Sequence, residues 1–210
     1  MAPPNPPPAP GVRTATTADL TRIEATLGRA FVDDPVSGWL LQRRVSEARV
    51  GYLEAVLARR HLLHGVSTVT EEIGSVAIWA PPKRFRVPVR DVLPHLPKIV
   101  ATLGPAGMRR LLQMTDVEEQ HPREPHYYLA VLGTDPDHQG RGLGSAAIAP
   151  TMARADEEGV GCYLESSKEA NVPFYRRHGF EVTGTHDIAG GKGPRLWLMW
   201  RDPRPPGTGR

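Results

Sequence analysis

The sequence predicts an α/β domain built on one mixed, mostly antiparallel sheet flanked by helices. Two pairs of β-rich segments, "VSTVTEE" with "GSVAIWAPP" and "FEVTGTHDI" with "RLWLMWR", are each separated by turn residues, as antiparallel hairpins require. A single strand, loop, helix and strand unit between residues 126 and 165 adds one parallel pairing. A length of 210 residues without internal repeats suits one core, and the domain is expected to span residues 12 to 202.

The opening "MAPPNPPPAPG", residues 1 to 11, has no apolar central run and reads as a solvated, disordered Pro-rich arm; residues 203 to 210 read as a flexible tail. The 21 Gly and 22 Pro make up about a fifth of the chain, too few for low complexity throughout. No apolar run approaches the roughly 20 residues that span a bilayer, and one Cys excludes an internal disulfide. A cytoplasmic protein is the simplest expectation. A formal charge of +3 with scattered Arg does not indicate nucleic-acid binding, while leaving room for a basic pocket that takes a phosphorylated ligand.

From the N-terminal side, "VRTA" suits a short strand. Thr16 followed by Asp19 has the form of a capping box, and Leu20, Ile23, Leu27 and Phe31 supply a helical stripe that stops at Asp33-Asp34-Pro35. Ser46 caps a second helix carrying Val50, Leu53 and Leu57, with Gly65 beyond its end. After the first hairpin, residues 82 to 122 form a Pro-interrupted helical stretch whose most periodic part is Met108, Leu111, Leu112 and Thr115. "HYYLAVLG", at 126 to 133, is a continuous apolar strand for the middle of a sheet. A helix over 145 to 158 runs past Pro150 to Gly159, "GCYLE" is a short buried strand, and Asn171 with Pro173 opens a helix that ends in basic residues and Gly179.

Between the central strand and its helix lies "DHQGRGLGSA". Three glycines there imply either positive φ or a ligand that must touch main chain. The dinucleotide fingerprint needs its glycines directly after the strand, and a Walker loop needs a closing Gly-Lys-Ser/Thr; neither is met. What remains is a helix N-terminus whose free N–H groups converge on an anion, a pyrophosphate cradle.

"LGTDPDHQGRGLGSA" resembles the acyl-CoA-binding segment of the GCN5-related N-acetyltransferase (GNAT) superfamily, with Gln139, Gly142 and Gly144 on its Gln/Arg-x-x-Gly-x-Gly/Ala signature. "NVPFYRRHGFEV" is similar to that superfamily's helix with a tyrosine before Gly-Phe. Within the superfamily, "HPREPHYYLAVLG" and "YLESSKEANVPFYRRHGF" resemble the puromycin N-acetyltransferase group closely over residues 121 to 201, and over the N-terminal half only in the order of elements.

The resemblance implies a splay between two central parallel strands, acetyl-CoA as cosubstrate, no metal, and direct acetyl transfer to a primary amine of a small molecule. A puromycin-like aminonucleoside would make antibiotic resistance its use. It implies Leu132, Gly133 and Thr134 for the pantetheine arm and Gln139, Gly140, Arg141, Gly142, Leu143, Gly144 and Ser145 for the pyrophosphate, with Asn171 as cap or CoA contact. It implies Tyr175 as the acid that protonates the leaving thiolate, against a packing role beside Phe174. Glu165 is either the carboxylate that takes the amine's proton or a strand-end acid tied to backbone or Arg. Trp39, Tyr128 and Glu118 are candidates for the acceptor side.

Cys162 reads as core, since a lone cysteine in a buried strand usually is. His61 with His64, and His121 with His126, lack a third ligand at metal-binding spacing. His138 is expected to face solvent. The partners expected are acetyl-CoA and a small amine, without nucleic acid or membrane, in a monomer or homodimer. Two rival readings remain: a protein or peptide N-acetyltransferase, and a noncatalytic acyl-CoA-binding regulatory module.

Overall fold

The computed structural model describes residues 11–204, and most of the expected arm and tail lies outside them. Among the described residues seven strands form one sheet in the order β1-β2-β3-β4-β5-β7-β6: β1 (Val12–Thr14), β2 (Thr68–Thr70), β3 (Ser75–Ala80), β4 (His126–Thr134), β5 (Gly161–Ser166), β6 (Glu181–Asp187) and β7 (Arg195–Arg201). Every neighbouring pair is antiparallel except β4 and β5. At the edges of the described chain, Gly11 accepts from the Glu71 N–H at 3.1 Å, and Arg204 donates its N–H to Asp156 at 2.7 Å.

The α-helices among the described residues are α1 (Leu20–Phe31), α2 (Pro35–Leu41), α3 (Glu47–Leu62), α4 (Val89–Val92), α5 (Leu96–Leu112), α6 (Leu143–Glu158), α7 (Val172–Arg177) and α8 (Ile188–Gly191). The Asp19 carboxylate accepts from the Thr16 N–H at 2.9 Å, the expected capping box. The stop at Asp33-Asp34-Pro35 also starts a helix that periodicity did not reveal. The Asp34 side chain accepts from the N–H groups of Val36 and Ser37, and Pro35 occupies the first turn, where its missing N–H costs nothing.

One face of the sheet packs on α6 and α7 through Trp79, Leu129, Ile148, Leu164 and Phe180. The other packs on α1 and α3 through Ile23, Leu27, Ile78 and Val131. A third apolar cluster, Leu41, Val50, Tyr52, Ile99 and Leu103, joins α2, α3 and α5. In the 82 to 122 stretch the expected stripe is not the buried one: Leu112 is 69% exposed, while Ile99 and Leu103 are buried. A break at Gly104, before Pro105, separates Ile99 and Leu103 from the half of α5 that carries Met108, Leu111 and Leu112; of these three, Met108 packs on the third cluster while Leu111 and Leu112 are exposed.

Two irregularities of β4 position the site. Against β3, Ile78 faces Val131 but Trp79 faces Leu129, so Ala130 is an extra residue, a bulge. A one-residue insertion flips the faces: Tyr127 and Leu129 lie with the α6 side, and Val131 with the α1 side. Against β5, β4 pairs only from His126 to Tyr128, and the Leu129–Thr134 edge has no strand beside it.

Candidate active site

The opening left by that splay is a cleft of about 430 Å³. Its walls come from three places: the free end of β4 at Leu132, Gly133 and Thr134; the loop and first turn of α6; and Asn171, Phe174, Tyr175 and Arg177 around α7. Asp34 and Lys168 close it from the α2 side.

The glycine loop is built for close approach. Gly140 and Gly142 adopt φ of 73° and 76°, in the left-handed region, and nothing stands within 4 Å of the Cβ either would carry. The Ala146 N–H is the first to bond back into α6, to the Gly142 carbonyl at 3.0 Å, so Leu143, Gly144 and Ser145 present N–H groups without intrahelical acceptors. The Gln139 amide donates to the Thr134 carbonyl at 3.2 Å and braces the loop on β4. Arg29 of α1 clamps it from outside, 2.8 Å from Asp137.

Every residue expected at the cofactor end lines the cleft except Arg141, which is exposed outside the lining. Asn171 occupies the N-cap position of α7 but makes no capping hydrogen bond with its side chain, and it borders the cleft instead. His138 also borders it, partly covered against Gly74 rather than facing bulk solvent.

Tyr175 is 8% exposed and is held edge-on by Phe174 and Phe180, at centroid distances of 5.2 and 6.0 Å. The α7 turn makes this arrangement, because the Phe180 N–H returns to the Tyr175 carbonyl at 3.1 Å. Burial, with the charge of Asp34, raises the phenol above its ordinary value. Tyr175 therefore keeps its proton throughout the neutral range.

On the opposite face of β4 and β5 sits a second cluster. The Glu165 side chain is 7% exposed and its Oε1 lies 3.4 Å from His121 Nε2, without a hydrogen bond of normal geometry. Burial pushes its carboxyl up to about 7, with the phenols of Tyr128 and Tyr163 pulling the other way. Burial also lowers His121 to about 4. Phe85 stacks on His121 at 3.9 Å, and His121 meets Tyr128 edge-on at 4.6 Å, so the segments before α4 and before β4 cover this end of the site.

Of the other acceptor candidates, Tyr128 belongs to this cluster. Trp39 donates its indole N–H to the Lys192 carbonyl at 3.1 Å, joining α2 to the turn before β7. Glu118 is exposed and pairs with Arg86 at 3.5 Å. Cys162 is fully buried, and burial pushes its thiol up to about 12. His121 and His126 face each other, Nδ1 to Nε2 at 3.2 Å, as hydrogen-bond partners.

Sequence reasoning missed two residues. From the sequence His121 reads only as half of a metal pair, although it stands five residues before the histidine that starts β4. Glu54 lies on the same stripe of α3 as Val50 and Leu57, and burial plus the charge of Asp34 push its carboxyl up to about 8. An acid on an otherwise apolar stripe was the available signal.

Residues 78–180 match the family model described as acetyltransferase (GNAT) family. An uncharacterized N-acetyltransferase of Schizosaccharomyces pombe is 26% identical over 175 residues, 77% of this chain and 70% of that protein. Among solved structures, one described as histone acetyltransferase HPA2 and related acetyltransferase from Corynebacterium glutamicum is 28% identical, with a TM-score of 0.65 over 95% of this chain and 99% of that one. Arylalkylamine N-acetyltransferase 2 of Aedes aegypti, 14% identical, matches with a TM-score of 0.63 over 92% of this chain and 98% of that one, a likeness of fold alone.

Proposed function

Because the chain belongs to the GNAT superfamily of N-acetyltransferases, whose members use acetyl-CoA as cosubstrate, we propose that it transfers acetyl directly from acetyl-CoA to the primary amine of a small molecule. The observation that carries this reading is the meeting, in one cleft, of an unpaired β4 edge, a glycine-lined helix N-terminus and the Tyr175 phenol. The cleft fits a pyrophosphate on a pantetheine arm, since the open space at Gly140 and Gly142 is where side chains would obstruct it.

Acetyl-CoA supplies an activated thioester carbonyl. The free N–H groups on the Leu129–Thr134 edge hold the pantetheine amides as a missing strand would, and one of them polarises that carbonyl. Leu143 to Ser145 take the pyrophosphate oxygens, with Arg177 adding positive charge. On the acceptor side Glu165, half-ionised near neutrality, removes a proton from the incoming ammonium. As the new C–N bond forms and the C–S bond breaks, Tyr175 hydrogen-bonds the sulfur and gives it a proton. Proximity does the rest, holding both reactants across one gap in the sheet.

A small acceptor is favoured because Phe85 and His121 cap the Tyr128 end of the site, where a peptide would need an open groove. The aromatic edges of Phe85, Tyr128 and Tyr163 suit an acceptor with a flat ring, which an aminonucleoside has. The Corynebacterium relative's description as a histone acetyltransferase supports peptide amines as the second reading. One assay separates the possibilities: thiol release from acetyl-CoA, with mass analysis of product, across puromycin, arylalkylamines, polyamines and a lysine peptide. Turnover of a small amine is expected. Turnover of the peptide alone overturns the small-molecule reading, and binding of CoA with no turnover of any amine overturns the enzyme.

A further inference from the structure

Behind Glu165 runs a chain of side chains that ends on the backbone. His126 Nδ1 is 2.7 Å from the Glu124 carbonyl oxygen, His126 Nε2 is 3.2 Å from His121 Nδ1, and His121 Nε2 is 3.4 Å from Glu165 Oε1. The end of the chain fixes its protons. A carbonyl can only accept, so His126 must carry its proton on Nδ1, which leaves Nε2 of the neutral ring as an acceptor. His121 Nδ1 must then donate, which leaves His121 Nε2 as a lone pair aimed at the carboxylate.

Two acceptors 3.4 Å apart repel unless one proton stands between them. From this we propose that Glu165 and His121 act as one base that shares a single proton, with His126 as the positioning residue that holds His121 in the tautomer this requires. The proposal rests on the acetyltransfer reading above for its purpose. The step balances: the substrate ammonium gives its proton to the Glu165 carboxylate, the new carboxylic O–H donates to His121 Nε2, and a cation and an anion become a neutral amine and a neutral pair. The proton returns to solvent when the pair reionises.

The electrostatic surroundings favour this arrangement. The low basicity of His121 and the raised carboxyl of Glu165 put the shared proton on the acid side of the pair. The other titratable and charged groups facing them are Arg86 from the segment before α4, Glu124, His126 and Tyr128 at β4, Tyr163 on β5, and Glu54 on α3 through Tyr128. Arg86 further disfavours an imidazolium.

Two measurements on the full-length protein test the idea. The first needs no acceptor: long-range proton–nitrogen NMR of the imidazoles from pH 5 to 9. The expected spectrum shows His121 and His126 both protonated at Nδ1, with His121 Nε2 moving in one step near pH 7 that Glu165→Gln abolishes. A His121 proton found on Nε2, or a step indifferent to E165Q, overturns the proposal whatever the enzyme acetylates. The second is kcat/KM against pH with puromycin and tyramine as probes. His126→Phe frees His121 to donate from Nε2 to the carboxylate, so the acid limb should fall by roughly one pH unit or more. His126→Gln, whose amide can still accept from His121 and donate to the carbonyl, should restore it. A uniform loss of rate at every pH in both variants means packing alone and overturns the proposal. Failure of both amines to turn over instead counts against the acceptor class, and the NMR result then decides.

Discussion

Tyr128 and Tyr163 form the last rung of pairing between β4 and β5, their rings 6.2 Å apart, and beyond them the two strands separate. Both rings lie on the side of Glu165, while Tyr175 stands across the sheet among the α6-side residues. The splay therefore puts a carboxylate of raised basicity on one side of a gap and a protonated phenol on the other. In the proposed transfer the acetyl group passes between them.

Tyr175→Phe deletes one oxygen and keeps the ring packed between Phe174 and Phe180. Turnover should fall about 10²-fold, as for loss of a positioned acid, with CoA affinity within about twofold of wild type. The loss should shrink for a thioester with a more acidic leaving thiol. Steady-state rates beside calorimetry check this, and wild-type turnover in a folded variant would make Tyr175 a packing residue only.

Gly142→Val places a β-branched side chain at φ 76° and fills the open space of the loop. CoA should bind at least about tenfold more weakly, a loss of about 1.4 kcal/mol. Calorimetric titration with CoA measures it, and circular dichroism verifies the fold.

Glu165→Gln should remove the rise of kcat/KM through about pH 7, because the proposed base acts only when ionised and burial delays its ionisation to that range. The sign for stability follows from the same shift. A carboxyl whose folded value lies above its unfolded one destabilises the folded state as pH rises past the unfolded value, and fully so above the folded one. The variant should therefore melt higher than wild type at pH 8 and at the same temperature at pH 4. Differential scanning calorimetry at the two pH values decides it.

Arg201 forks onto Asp156 with bonds of 2.8 and 2.7 Å, and the Arg204 N–H adds a third. Burial alone would push Asp156 up, but these bonds more than offset it and hold its carboxyl below the ordinary value. Its contribution is thus present above the unfolded carboxylate range and lost as pH falls through the folded value. Asp156→Ala leaves the buried Arg201 uncompensated and should cost about 3–5 kcal/mol at pH 7, less at pH 3, by denaturant melts.

Much of the cleft was legible because its walls are local. The glycine loop, the strand before it and the Asn171-to-Gly179 helix are contiguous segments whose turn and cap residues declare themselves. The β4 bulge was not legible. It is a choice of register against β3, and "YYLAVLG" reads as an unbroken apolar strand whichever residue is skipped. The helix at Pro35 was hidden for another reason: Asp-Asp-Pro signals the end of one element and the start of the next equally well.

By itself the sequence determined the strands, the hairpins, the glycine loop that opens α6 and the family, since each depends on residues within a few positions of one another or on a contiguous motif. The buried cluster around Glu165 was decided only in the tertiary structure. Glu54, Tyr128, His121 and Glu165 come from four separate segments, and their chemistry depends on burial and on which neighbour faces which atom. A carboxylate's pKa is set by its solvation and nearby charges, which a linear order of residues does not contain. His126 does specify a tautomer for His121, but only because the chain folds the Glu124 carbonyl against its ring.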